Sequence, residues 1–184
     1  MKFSKTFTAV AVAAVLSAAA ITASAQVMVG GAPMYSNKDI IDNAVNSKDH
    51  TTLVAAVKAA GLVDTLKSPG PFTVFAPTNA AFAALPAGTV DTLLKPENKP
   101  ALTKVLTYHV VSGKMDAATI LKAIDAGGGM AKLTAVSGGT LTASKSGSTI
   151  MVTDESGGMA HVTIGDVVQS NGVIHVVDKV LLPK

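Results

Sequence analysis

The chain of 184 residues contains no cysteine, no tryptophan and no arginine. Without cysteine there are no disulfides, no thiolate catalysis, no Cys-type zinc site and no lipid anchor of the kind attached to a cysteine at a leader cleavage site. Stability must therefore come from the core alone. Without arginine, all 15 basic residues are lysines, spread singly along the chain. Nucleic-acid binding relies on bidentate guanidinium contacts and dense phosphate neutralisation, so no nucleic-acid partner is expected. Aromatic residues are 4% of the chain, too few for a sugar-stacking platform. The usual catalytic signatures are missing too: there is no G-x-S-x-G elbow, H-E-x-x-H pair, Walker loop or dinucleotide glycine fingerprint. Most serines sit in Gly/Ser turns, where a turn role is expected. The expectation is a non-enzymatic protein with no cofactor and no resident metal.

What is present begins with a leader. Residues 1–25 read as a secretory signal peptide, with Lys2 and Lys5 at the positive end, an apolar run over 9–20, and Ala23-Ser24-Ala25 as the cleavage site. The run is shorter than the roughly 20 strongly apolar residues of a transmembrane helix. No apolar tail follows Pro183-Lys184. An exported protein is expected, periplasmic or extracellular, and not membrane-inserted once cleaved. The 159 residues at 26–184 are nearly charge-balanced, with 13 lysines against 12 acids, and suffice for one domain with a real core.

Residues 26–38 mix glycine, proline and methionine without periodicity. They read as an N-terminal arm, either a flexible terminus or a segment docking Val27, Met28, Val29, Met34 and Tyr35. A helical turn or two is expected over 39–46, then a helix over 49–60 with Gly61 as its left-handed cap. Further helices are expected near 90–94, over 99–108 with Pro100 in the first turn, and from the Asp116 cap through Ile124. From residue 131 short β-branched runs alternate with Gly/Ser turns. Strands at 133–136, 140–144, 149–153 and 161–164 predict an antiparallel meander. A helix-rich first half and a strand-rich second half define an α+β protein.

Two distant stretches organise the chain. Residues 72–85 (FTVFAPTNAAFAAL) read as a strand ended by Pro77, then a short helix capped by Thr78. Residues 171–183 (NGVIHVVDKVLLP) read as a strand entered through an Asn171-Gly172 turn, running over 173–182 and closed by Pro183. With Tyr108-His109 between them, these stretches resemble the two signature blocks and the Tyr-His motif of the fasciclin (FAS1) domain family. Order and spacing agree over roughly 39–183, without an internal repeat. The resemblance implies a single FAS1 domain at 39–183: a β-sandwich or wedge of antiparallel strands with several helices packed on it. It also implies an interaction module in cell adhesion or contact with a cell-surface or matrix component, protein or polysaccharide. The style of the leader points to a bacterial, single-domain member. A chain without arginine cannot present Arg-Gly-Asp, so integrin-type adhesion is not expected. The alternative is a soluble carrier holding an apolar small molecule between helices and sheet, since aliphatic walls suit such a ligand.

The resemblance makes Tyr108 and His109 the candidate interaction segment; as core residues, their polar atoms would bond to the first block. Relatives often carry an acid where this chain has Ala80, so His109 must pair with hydroxyls, Asn79 or backbone. Phe75, Pro77, Thr78, Asn79, Phe82, Asn171, Gly172, Ile174, His175 and Asp178 match the blocks and are expected to be mainly structural. His175 and Asp178, three apart in a strand, would face opposite sides and form no dyad. Asp178 is expected in a local turn or ladder-end hydrogen bond. Met159 and His161 share a strand face, and with the methionines at 28, 34, 115, 130 and 151 they raise a soft-metal alternative. Methionine more often fills core gaps.

Overall fold

The structure, a computed structural model, describes residues 26–184; the expected signal peptide lies outside them. Nine strands and seven helices follow in the order β1 Met28–Val29, β2 Ala32–Pro33, α1 Ile40–Ala44, α2 Thr51–Ala60, α3 Val63–Lys67, β3 Phe72–Pro77, α4 Asn79–Ala83, α5 Thr89–Leu93, α6 Lys99–Tyr108, β4 Val110–Ser112, α7 Ala117–Ala126, β5 Met130–Thr134, β6 Thr140–Ser146, β7 Thr149–Thr153, β8 Met159–Gln169 and β9 Gly172–Val177. Local chemistry explains most boundaries. Asp39, Thr78 and Asp116 each accept a backbone N–H as caps of α1, α4 and α7. Gly61 ends α2 with φ 72°.

Seven strands form one sheet in the order β4-β3-β9-β8-β7-β6-β5, antiparallel except between β3 and β9. That parallel pair sets Val74 beside Ile174 and Phe75 beside His175, so the two signature stretches are neighbours inside the sheet, flanked by β4 and β8. β8 is shared, pairing with β7 over its first residues and with β9 over the rest. Bulges after Val162 and Ile164 bend it between the two halves. The curl brings the ends of the sheet together: Val111 bridges Ala135, and Val136 N–H donates to Val110 O at 2.7 Å.

Two apolar clusters result. One lies inside the curled sheet, with Phe75, Tyr108, Leu141, Val152 and Val177, and is capped by Ile120 and Ile124 of α7. The other lies between the helices α1, α2, α3, α4 and α6 and the outer face of β3, β9 and β8, through Val74, Ala76, Ile174 and Val176.

The structure refines the sequence expectations in several places; the strand expected at 133–136 is Met130–Thr134, and the one expected at 161–164 is Met159–Gln169. Of the two alternatives for the arm the structure has the docked one: β1 and β2 form a hairpin that buries Val29 and Met34 in the helix-side cluster. Buried Asn43 fastens it, accepting from Tyr35 N at 3.0 Å and donating to Tyr35 O at 2.7 Å. The last strand ends at Val177 instead of running to Leu182, because Asp178 turns back to accept from His161 N at 2.7 Å. The turn before it is centred on Ser170 and Asn171, and Gly172 is the first strand residue. A Cβ on Gly172 would run into the Phe72 carbonyl of the adjoining strand; close backbone approach, not turn geometry, requires glycine there.

Candidate functional site

Tyr108 and His109 end α6 and lead into β4, and both are buried. The Tyr108 hydroxyl donates to Thr140 O at 2.8 Å and accepts from Glu155 N at 3.0 Å. Its ring occupies the space above Gly139, where a Cβ would collide with it. His109 Nδ1 lies 2.8 Å from Val105 O, and Nε2 accepts from Leu181 N at 2.9 Å. A carbonyl partner demands the proton on Nδ1 and an N–H partner demands a lone pair on Nε2, so the ring is neutral. Burial pushes its pKa down to about 4. These side-chain bonds run to the 139–140 turn, the 154–158 turn and the C-terminal tail. They do not reach the first block; only the His109 carbonyl does, accepting from Phe75 N at 2.9 Å.

His175 takes the opposite tautomer. Its Nε2 lies 2.8 Å from Met115 O, while Nδ1 accepts from Asp166 N at 3.4 Å. Asp166 can do this because it sits in the β8 bulge with φ 56°. Its carboxylate also accepts from Ala117 N, in the first turn of α7, at 2.6 Å. The His175 ring stacks on Phe75 with centroids 5.7 Å apart, and burial lowers its pKa. Asp178 does not join it; Asp178 Oδ2 lies 3.4 Å from His161 Nδ1 instead.

The remaining block residues link elements. Asn79 Oδ1 accepts from Thr52 N at 3.0 Å, capping α2 from a distance, and its Nδ2 donates to Lys48 O at 2.8 Å. Asn171 accepts from Ile40 N at 3.1 Å and donates to Leu66 O at 2.6 Å, tying α1 and α3 to the sheet. Phe82 packs in the helix-side cluster, and Pro77 closes β3 opposite Val177.

Sequence reasoning missed several residues. Asp154 is buried and accepts from Ser156 N, Gly158 N and Leu182 N at 2.7–2.9 Å; an aspartate opening a Gly/Ser turn was the available signal. The spacing of Met159 and His161 puts them on one strand face; the strand register adds Met151, directly across from His161. Among the described residues, no group of three His, Cys, Asp or Glu side chains is placed to hold a metal ion. An apolar cavity of about 50 Å³ lies between the helices and the sheet, where the carrier alternative needs one, walled by Val29, Met34, Val57, Val74, Val167 and Ile174. His50 lies in its wall.

A near-closed sheet wrapped on one side by helices, with its two signature strands paired in parallel, defines a fold already seen in a solved structure. It is similar to a FAS1 domain pair from the insect cell adhesion molecule fasciclin I, with a TM-score of 0.69 at 16% identity, over 79% of this chain and 51% of that one. The chain thus spans about half the length of that structure. The family model for the Fasciclin domain matches residues 48–183, and the chain belongs to the fasciclin domain family. It is 49% identical to Protein sll1483 of Synechocystis sp. over 78% of this chain and 73% of that protein. It is also 38% identical to Immunogenic protein MPB70 of Mycobacterium bovis, over 76% of this chain and 66% of that one.

Proposed function

We propose that the chain is an exported, non-enzymatic interaction module that makes contact with a cell-surface or matrix component, protein or polysaccharide. The observation that supports this reading is the fold shared with the domain pair of an insect cell adhesion molecule. The Tyr108-His109 segment contributes by positioning. Its side chains hold the 139–140 turn, the 154–158 turn and the tail from inside, and exposed Ser156, Gly157, Asp178 and Lys179 lie on these pieces. Binding of the 26–184 protein to whole cells and extracted surface glycans should be saturable, and weaker for a folded His109→Ala variant. An absence of saturable binding to every surface tried would remove this reading.

A second reading is favoured by the cavity: a soluble carrier of an apolar small molecule held between helices and sheet. Solvent extraction and mass spectrometry of purified protein should then yield one co-purified molecule in stoichiometric amount. Repeated empty extracts would count against it.

A further inference from the structure

The cavity walls are mostly apolar, and of the polar side chains among them, Ser47, His50, Thr65, Thr107 and His109, His50 stands out. His50 is 3% exposed and ends the 3-10 turn leading into α2. Its Nδ1 lies 2.8 Å from Ser47 Oγ, while its Nε2 is buried with no hydrogen-bond partner. The Ala76 carbonyl of β3 is near enough to pull the ring's pKa upward against the larger lowering by burial, yet no bond of acceptable geometry joins them. Leaving a buried polar atom unpaired is costly, so it calls for an explanation.

The tautomer follows from counting protons. Among the described residues, His50 Nδ1 is the one hydrogen-bond partner of Ser47 Oγ. If Nδ1 carried the proton, Ser47 would accept it, and both the serine hydroxyl proton and the Nε2 lone pair would lack partners. If Ser47 donates to Nδ1, a single group is left over, the Nε2–H donor. The second arrangement strands fewer groups and is preferred. A water molecule is a poor answer to that donor, because a buried water needs two to four polar partners. Of the other polar side chains of the wall, Thr107 Oγ1 donates to Thr103 O, both His109 nitrogens are paired, and Thr65 is exposed to solvent. What fits is one acceptor oxygen on an otherwise apolar body.

We propose that the cavity is a binding site for a small apolar molecule bearing a single carbonyl or ether-type oxygen, which His50 Nε2–H recognises. This rests on the carrier reading and adds the head group and the residue that selects it. About 50 Å³ accommodates only a few water-sized groups, since one water needs roughly 10–15 Å³ on this measure. The ligand is therefore a short ketone, aldehyde, ester or ether, or the tip of a longer chain. The wall provided by Val29 and Met34 belongs to the β1–β2 hairpin, whose pairing is only two residues long.

The test uses 2-butanone and its near-isostere 2-methyl-1-butene, in which a methylene group replaces the carbonyl oxygen. Binding is followed by amide shifts of cavity-lining residues in the 26–184 protein. Wild type should bind both, and His50→Phe should weaken the ketone about tenfold while leaving the alkene within about twofold. Nitrogen-15 shifts of the wild-type His50 ring supply a readout that does not depend on the variant folding. Nε2 should be the protonated nitrogen, and its resonance should move with the ketone and not with the alkene. Equal losses for both probes, or a protonated Nδ1, would overturn the role of His50 and leave an unselective apolar carrier. If wild type binds neither probe, the carrier reading fails with it.

Discussion

Three buried histidines, His50, His109 and His175, each meet a different set of partners, and burial lowers the pKa of all three. For His109 the free-chain value is 6.5 and the folded value about 4. Above pH 6.5 neither state binds the proton and the full stability is present. Between 6.5 and about 4 only the unfolded chain is protonated, so stability falls by roughly 1.4 kcal/mol per pH unit from this residue, then levels off. His50 and His175 act in the same direction. Urea unfolding at pH 7 and pH 5 should therefore differ by about 2 kcal/mol or more, and equal stabilities would contradict a neutral buried His109. The Tyr108 hydroxyl allows a sharper cut. Tyr108→Phe keeps the ring but leaves Thr140 O and Glu155 N without their partner, a loss of about 1–3 kcal/mol by thermal or urea unfolding. An unchanged midpoint would mean that solvent replaces both bonds.

At the scale of elements, the parallel pair β3–β9 carries both signature blocks. Phe75 faces the cluster inside the sheet and Ile174 the helix-side cluster, so truncating either opens a cavity in a different layer. Phe75→Ala and Ile174→Ala should each cost roughly 2–5 kcal/mol; a loss below about 0.5 kcal/mol at either would contradict the interlocked core. Helix caps such as Thr78 and Asp116, the cap at Gly61, and the strand-turn rhythm after residue 131 were readable because their causes are local. The parallel pairing was not, since β3 and β9 lie about a hundred residues apart and neither strand names its partner. Its signal was the near-continuous apolar character of FTVFAP and GVIHVV, the mark of strands covered on both faces. The partners of His109 were hidden for a similar reason: Leu181 belongs to the tail beyond the last strand, which reads as strand until Asp178 diverts it.

At the scale of the molecule, the arm is part of the fold. Val29 and Met34 complete both the helix-side cluster and the cavity wall. Removing residues 26–38 uncovers them, at about 3 kcal/mol or more from apolar burial alone. A thermal midpoint unchanged by that truncation would show that the hairpin is dispensable. Glycine-rich, unperiodic sequence concealed this docking, because the arm's order comes from Asn43 and the surface beneath it. Among the described residues no helix is long and apolar enough to cross a membrane.

The meeting of β4 with the segment after β5 has a further meaning. A sheet normally ends in two rows of unsatisfied N–H and C=O groups that invite a strand from another chain. Here Val136 donates across the seam to Val110, and Val111 bridges Ala135, so each end of the ribbon occupies part of the other. The seam thereby guards the chain against templated polymerisation into fibrils, because it leaves less free edge for a strand of another copy to extend.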